Sequence, residues 1–199
     1  MTTIQHNLFH VLKAGSKIPG DWYPGTIPPN IEIGNEVMMD SSFCFKHFFS
    51  TLPVAMRIGD FVTFWRTAIS LEENGYVEIG SYSYITNASI VCSERISIGS
   101  RVFIAGGVTI VDSDFHPVTP AARLCDTIAL SPMGNRSHRP RVNSSPVTIE
   151  DDVWIGYNAT ILKGVTVGRG ATIEPGAVVL TNVDPGTTVA GNPAKPVTV

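Results

Sequence analysis

The strongest constraint on the fold is an aliphatic residue that recurs every six positions through the C-terminal part of the chain. This first series is Ile149, Ile155, Ile161, Val167, Ile173 and Val179. The residues four positions after each member are small or branched: Val153, Ala159, Val165, Ala171, Ala177 and Val183. The residues three positions after each are Asp152, Asn158, Gly164, Gly170, Gly176 and Asn182, all of types that tolerate a positive φ. The pattern predicts short strands joined by left-handed corners. The aliphatic residues and the small or branched residues, which are the first two series, are expected to face inward.

An α-helix cannot use this period, because residues six positions apart would wander over all of its faces. Hairpins are also excluded, since strands of about three residues are too short for them. A solenoid satisfies the pattern, because each strand can pair with its equivalent one coil away. Three sides of six residues give a coil of about 18 residues with a triangular section. With 18 glycines and 14 prolines in 199 residues, the composition also disfavours helices, and we predict an all-β fold.

The same register continues more loosely towards the N-terminus. Its inward residues are predicted to be Ile33 with Val37, Ile58 with Phe64, the triplet Ile79, Ile85 and Val91, and the triplet Ile98, Ile104 and Ile110. The step of seven from Val91 to Ile98 predicts a one-residue bulge. The predicted organisation is an N-terminal arm (1–30), a solenoid (31–190) and a C-terminal tail (191–199). A proline-rich excursion without any period interrupts the solenoid at about 112–146, and a loop of this length is usually functional or disordered.

Composition excludes several classes of protein. The net charge of −3 argues against a nucleic-acid-coating protein. No apolar run approaches the roughly 20 residues that span a bilayer, and the N-terminus lacks the features of a signal peptide. The three cysteines have no metal or redox spacing, so no disulfide framework is predicted and a reducing cytoplasm is expected.

Two segments resemble the hexapeptide-repeat acyltransferases, a left-handed parallel β-helix family. They are VFIAGGVTIVDSDFHPV and VTIEDDVWIGYNATILKGVTVGRGATIEPGAVVLTNVDPGTTVAGNPAKPV, which together cover about the C-terminal half. They are similar in particular to galactoside, maltose and polysaccharide-biosynthesis O-acetyltransferases. The resemblance implies the left hand of the coil, which general chirality rules would not predict. It also implies a homotrimer with active sites between subunits, an acyl-CoA donor, and a histidine that activates the acceptor.

By this resemblance His116, at the start of the excursion, is the catalytic residue. Acyl transfer needs a base for the proton of the attacking group, and an unperturbed imidazole is largely neutral at pH 7. If the segment is extended, Asp112 and Asp114 project on the same side as His116, and either carboxylate could fix the imidazole tautomer. The alternatives are a surface histidine without a role and aspartates that cap turns.

The resemblance also suggests which residues contact the two substrates. Trp154 would line the active site beside the excursion, or alternatively lie at a subunit interface. Asn158 would contact substrate, while Ala159, Gly176 and Ala177 would flank the pantetheine arm of the donor. Their backbone N–H groups could stabilise the oxyanion.

Basic residues supply candidate anion sites. Four of the nine arginines lie within the excursion: Arg123, Arg136, Arg139 and Arg141. Arg139 and its neighbours could bind CoA phosphates or a charged acceptor, or could simply form a solvated basic loop. Lys163, Arg169 and Lys195 are candidates for the adenosine 3′-phosphate by resemblance, or alternatively plain surface charges.

We therefore expect an acetyl-CoA-dependent O-acetyltransferase acting on a sugar or glycan-precursor hydroxyl by direct transfer, without a metal. Nothing marks Cys125 as an activated nucleophile. One alternative is a γ-carbonic-anhydrase-like enzyme, which needs three zinc-binding histidines where this chain offers His116 and His138. Another is a non-catalytic binding solenoid. The acceptor, the acyl group, the choice between O- and N-acylation and the role of the Phe43–Phe49 cluster (acceptor stacking, solenoid cap or interface) stay open. Polysaccharide biosynthesis is suggested by the family alone.

Overall fold

The computed structural model describes residues 9–198, which form a parallel β-helix with three walls. Strands are numbered in chain order. Wall A contains β1 (His10–Val11), β3 (Met38–Met39), β5 (Thr63–Trp65), β8 (Tyr84–Thr86), β11 (Phe103–Ile104), β14 (Trp154–Ile155), β17 (Thr172–Ile173), β19 (Thr188–Ala190) and β20 (Lys195–Pro196). Wall B contains β2 (Ile31–Ile33), β4 (Met56–Ile58), β7 (Tyr76–Ile79), β10 (Arg95–Ile98), β13 (Val147–Ile149) and β16 (Thr166–Val167). Wall C contains β6 (Ala68–Leu71), β9 (Ser89–Cys92), β12 (Thr109–Val111), β15 (Thr160–Ile161) and β18 (Val178–Val179).

Strand pairing confirms the predicted 18-residue coil in the C-terminal part. Thr148 on wall B pairs with Thr166, and Thr160 on wall C pairs with Val178, each 18 residues further on. Upstream coils are longer, because Ile31 pairs with Met56 across an insertion that contains the Phe43–Phe49 cluster. All these pairings are parallel; only β1 and β20, at the two ends, pair antiparallel to their neighbours.

The solenoid interior contains the residues that the period predicted. Every member of the first two series is at most 6% exposed, which confirms their inward orientation. Five of the six predicted corner residues have a positive φ, between 57° and 76°. Asn182 is the exception, and its side chain instead accepts a hydrogen bond from the Thr166 N–H at 2.8 Å.

One part of the upstream register was wrong. Ile90 and Cys92 face the interior, and Val91 is only partly buried. Ile90 pairs with Ile69 and with Ile110, so it takes the inward column that Val91 was expected to fill. The step from Ile85 to Ile90 is five residues, as is the step from Phe64 to Ile69 in the preceding coil, whereas the later coils use six. The additional residues before Ile98 lie in the corner between β9 and β10.

The N-terminal end of the solenoid is covered by chain outside the repeat. Leu12, Ile18 and Ile27 are buried against the first coil, and Phe45 from the Ser42–Phe45 3₁₀ helix joins the same core. The first eight residues of the predicted arm lie outside the described residues. The boundaries of the arm and of the tail stay predictions.

The excursion contains a helix that the sequence did not reveal. Helix α1 (Pro120–Leu130) has proline at its start, and a short 3₁₀ helix follows at Arg136–His138. Within α1 only Asp126 and Ala129 are buried, while Leu124 and Ile128 are exposed. Ala121, Leu124, Cys125 and Ile128 recur at helical spacing and are exposed, so the helix has an apolar side, and the prolines around it obscured this signal in the sequence. In the described part of the chain, no helix has the length and apolarity needed to cross a bilayer.

Candidate active site

His116 lies where the chain leaves wall C and enters the excursion. Strand β12 ends at Val111, and Phe115 adopts a left-handed φ of 65° that turns the chain. The His116 side chain is about half exposed (48%), and its Nδ1 lies 2.6 Å from Oδ2 of Asp126. Asp126 projects from α1 and is 1% exposed. A solvent-accessible imidazole is thus hydrogen-bonded to a buried carboxylate.

A charge network anchors this pair to the solenoid; it consists of His116, Asp126, Arg139, Glu72 and Arg136. Arg139 donates to Asp126 through Nε at 2.7 Å and to Glu72 through Nη1 at 2.8 Å. Arg136 donates to both carboxylate oxygens of Glu72 at 3.0 Å. Glu72 directly follows β6, so the network fastens the excursion to wall C.

The network sets the protonation of Asp126. Burial alone would raise the pKa of this carboxyl, but hydrogen bonds from Arg139 and His116 outweigh burial and hold the pKa below its usual value. An anionic Asp126 accepts a hydrogen bond from Nδ1–H of His116. That tautomer leaves Nε2 with a lone pair, as a general base requires.

The structure corrects the expected partner of His116. Asp114 pairs instead with Lys163 at 2.5 Å, and Asp112 is fully buried beneath the corner that follows β9. Asp112 accepts hydrogen bonds from the N–H groups of Ser93, Glu94 and Arg95 at 2.7 to 2.8 Å. The extended geometry that would align both acids with His116 is absent, because the chain turns at Phe115.

Asp112 is therefore expected to stabilise the fold rather than to act in the chemistry. Replacing it with alanine leaves three backbone N–H donors of this corner without the buried carboxylate that accepts their hydrogen bonds. Asp112→Ala is expected to lower the free energy of unfolding by about 3 kcal/mol, measured by urea denaturation. Asp112→Asn keeps one acceptor oxygen and should cost less. An unchanged urea midpoint for Asp112→Ala would contradict this role.

The other basic candidates lie apart from one another. The pairing of Lys163 with Asp114 holds its ammonium group at the root of the excursion. Arg169 donates to Asp152, whose pKa falls to about 2 chiefly through hydrogen bonds from Arg101 and Arg169. Lys195 is exposed on β20 and lines a cavity of about 240 Å³ at the C-terminal end.

The remaining predicted residues lie on other parts of the coil. Trp154 is 38% exposed on the outer face of wall A, in register with Phe103 and Thr172. Asn158 and Gly176 occupy left-handed corners between walls A and C. One chain therefore does not bring Trp154 to the His116 corner, which lies between walls C and B.

The backbone N–H groups predicted to stabilise an oxyanion are already engaged. The side chains of Ala159 and Ala177 face the interior and are fully buried. Ala159 N–H donates to Gly156 at 3.3 Å, Gly176 N–H to Tyr157 at 2.9 Å and Ala177 N–H to Glu174 at 3.1 Å, all through carbonyl oxygens. These three groups are therefore not available as oxyanion donors in this conformation.

A cavity of about 180 Å³ opens beside His116. It is bordered by every member of the charge network except the buried Asp126, and by His47, Phe49, Ser70, Val91, Phe115 and Leu130. A larger groove, of about 810 Å³, runs along wall B and contains no member of the charge network. The smaller cavity is the better candidate for chemistry, because of the two it is the one that adjoins the imidazole of His116.

Sequence reasoning missed Asp126, Glu72 and Phe49 as parts of this site. Asp126 lies ten residues after His116 and reaches it only because the intervening chain forms helix α1, which was not predicted. Glu72 is distant from both in sequence. Phe49 belongs to the cluster whose role was left open, and its ring lies 4.1 Å from the guanidinium carbon of Arg136. Among residues 9–198 no three histidine, cysteine or acidic side chains are grouped to hold a metal ion.

Comparison with known proteins supports the repeat and the fold. The family model for the bacterial transferase hexapeptide (six repeats) matches residues 146–181. A 2,3,4,5-tetrahydropyridine-2,6-dicarboxylate N-acetyltransferase of Staphylococcus aureus is 60% identical over 53 residues, which is 27% of this chain. That match spans only 22% of the relative's length.

Two solved structures extend the similarity beyond the repeat. A hexapeptide-repeat acetyltransferase from Vibrio cholerae, complexed with acetyl coenzyme A, is 27% identical with a TM-score of 0.52, over 65% of this chain and 63% of that one. A polysialic acid O-acetyltransferase shares the fold at 23% identity, with a TM-score of 0.61 over 86% and 76% of the two chains. Residues 146–181 therefore contain hexapeptide repeats, and the chain has the left-handed parallel β-helix fold of the acetyltransferases to which it is similar.

Proposed function

We propose that this protein is a CoA-dependent acetyltransferase that moves the acetyl group of acetyl-CoA to a hydroxyl of a sugar or glycan precursor. The observation that carries the proposal is the half-exposed imidazole of His116, hydrogen-bonded to a buried anionic Asp126 and opening on a cavity. The similar Vibrio cholerae acetyltransferase, complexed with acetyl coenzyme A, supports the choice of donor.

In the proposed reaction, Nε2 of His116 accepts the proton of the acceptor hydroxyl as its oxygen attacks the thioester carbonyl carbon. The new C–O bond forms, the C–S bond breaks, and the CoA sulfur leaves with the proton returned by His116. Asp126 holds the imidazole tautomer and stabilises the imidazolium that forms transiently. Every step uses groups of this chain and the two substrates, so no acyl-enzyme is needed.

Direct transfer predicts that no cysteine is required. Cys125 is exposed on α1, whereas burial raises the pKa of the Cys44 and Cys92 thiols and keeps them protonated. Cys125→Ala is expected to leave kcat within about twofold of the native enzyme, measured by thiol release from acetyl-CoA. Complete loss of turnover in this variant would replace direct transfer by a covalent route.

A homotrimer is the second part of the proposal. Aromatic side chains are exposed on and beside wall A, where Phe61 stacks on Tyr82 and Tyr84 stacks on Phe103, each with ring centroids 5.2 Å apart. Contiguous exposed apolar surface of this kind is usually covered by a partner. A neighbouring copy would also supply the Trp154 that one chain keeps away from its own His116. Light scattering should give about three times the 21.4 kDa chain mass, and a monomer would contradict the assembly.

Within that assembly the corners at Asn158 and Gly176 are proposed to flank the pantetheine arm, and the exposed Lys195 to meet a CoA phosphate. Arg139 is proposed to hold the charge network together, because it already pairs with Asp126 and Glu72 of the same chain. A cytoplasmic role in polysaccharide biosynthesis fits the acetyl-CoA donor and a glycan-precursor acceptor.

The test is a thiol-release assay with acetyl-CoA and a panel of monosaccharides and amino sugars. Turnover with a hydroxyl acceptor is expected, and hydroxylamine should cleave the product, since it cleaves esters and leaves amides intact. A hydroxylamine-resistant product would indicate N-acetylation instead. Absence of both turnover and CoA binding by calorimetry would contradict the proposal and favour a non-catalytic solenoid.

A further inference from the structure

The cavity beside His116 is small. Its volume of about 180 Å³ is below the 300–1,000 Å³ typical of sites for drug-sized ligands. It therefore has room for about one sugar ring at the reacting hydroxyl. The charges around the cavity determine whether this sugar ring can have a charged substituent.

The charges of the cavity compensate one another. Arg136 donates to both oxygens of Glu72, while Arg139 is shared between Glu72 and Asp126. Two guanidinium groups are thus matched by two carboxylates, of which Glu72 borders the cavity and Asp126 is buried behind Arg139. An acidic acceptor would have to displace Glu72 from Arg136, or to stand beside Glu72 without a cation of its own. The four arginines of the excursion therefore do not create an anion site here.

The rest of the cavity presents aromatic surface. The Phe49 ring packs against the guanidinium of Arg136, and His47 stacks on the same ring with centroids 6.2 Å apart. Phe115 is 46% exposed beside His116, with ring centroids 5.1 Å apart, and it keeps a left-handed φ that is costly for an aromatic residue. Exposed rings beside a base suit the apolar C–H face of a sugar whose hydroxyl points at Nε2.

We propose that the acceptor is an uncharged sugar and that Glu72 is the residue that discriminates against acidic sugars. This inference rests on the proposed acetyltransferase function and narrows its acceptor class. Glu72 acts in two ways: it occupies Arg136, and its own charge repels an incoming carboxylate.

The experiment compares matched acceptor pairs. Methyl glycosides of galactose, glucose and mannose are assayed with acetyl-CoA beside their uronic acids and the corresponding uronamides; uronic acid and uronamide both lack the C6 hydroxyl and form the matched pair that differs in charge. The native enzyme is expected to show a kcat/KM at least about tenfold higher for the neutral member of the accepted pair. Glu72→Gln, which frees Arg136 and removes one negative charge, should narrow this ratio several-fold.

Two further variants distinguish a change in acceptor specificity from a folding defect. Arg136→Gln removes a cation and is expected to widen the neutral-to-acidic ratio, opposite in sign to Glu72→Gln. Glu73→Gln changes the exposed neighbouring glutamate and should leave the ratio unaltered. Far-ultraviolet circular dichroism confirms that each variant retains the β-fold.

The outcomes separate the inference from the function on which it rests. Thiol release with a preference for the uronic acids, or a ratio that Glu72→Gln leaves unchanged, would overturn the inference while the acetyltransferase function stands. Thiol release from no acceptor, with no CoA binding, would overturn both. A neutral preference that the two charge variants move in opposite directions would establish the inference.

Discussion

Replacing His116 with alanine is expected to lower kcat by about 10²- to 10⁴-fold, the usual contribution of a general base. The attacking hydroxyl would then have to lose its proton to water. The binding of acetyl-CoA should change little, because the imidazole is proposed to act on the acceptor. Thiol release gives kcat, and calorimetry with CoA gives the dissociation constant.

His138→Ala is the matched control, since this histidine lies in the same excursion on an exposed 3₁₀ helix. It should retain native kcat. The same variant tests the zinc-enzyme alternative, in which both histidines would be ligands and both variants would lose activity together. A His116→Ala enzyme with native turnover would show that the base lies elsewhere.

The second large effect is expected at Asp126. Asp126→Ala removes the partner that orients the imidazole and leaves the guanidinium of Arg139, whose side chain is only 14% exposed, with Glu72 as its remaining carboxylate. Breaking such a buried pair costs about 3–5 kcal/mol of stability. We also expect kcat to fall by at least about 10²-fold, because the tautomer and ring orientation of His116 are no longer fixed.

The pH dependence of stability distinguishes an orienting charge from simple packing. The pKa of Asp126 is lower in the folded protein, so the stabilisation it provides is fully present above its unfolded pKa of about 3.9 and is lost as pH falls through the folded value. In urea denaturation between about pH 6 and pH 2, the free energy of unfolding should therefore fall more steeply with decreasing pH in the native protein than in Asp126→Ala. Parallel profiles would indicate that the carboxylate is not charged in the fold.

Asp114→Ala is the control for this variant, because Asp114 was one of the two carboxylates that the sequence offered as partners of His116 and it pairs with Lys163 instead. It should change kcat by less than Asp126→Ala does. A larger loss at Asp114 than at Asp126 would restore the original assignment.

The solenoid could be predicted from sequence because its constraint is local and repeated. Each Ile or Val of the first series faces the same interior, and each corner needs a left-handed residue, so one six-residue rule describes the C-terminal coils. The rule failed at Val91, where a corner loses one residue and the inward position shifts to Ile90. A change in corner length alters no residue type, so the sequence contains no mark of it.

The site was less accessible to such reasoning because it is assembled from distant segments. His116 could be selected by its position at the start of the excursion, but its partner lies on a helix whose apolar spacing was not recognised among the surrounding prolines. Asp112 was chosen for its spacing, which holds only in an extended chain, and the left-handed Phe115 removes that geometry. Glu72 and Phe49 reach the site only through the coiling of the solenoid.

The central claim is that the thioester is delivered to the imidazole of His116 at the wall C corner. A crystal structure with CoA tests it most directly. The account predicts the thiol sulfur at the mouth of the His116 cavity, within about 4 Å of Nε2, where the imidazole can return a proton to the leaving sulfur. A CoA molecule bound with its thiol in the wall B groove, remote from His116, would contradict the account.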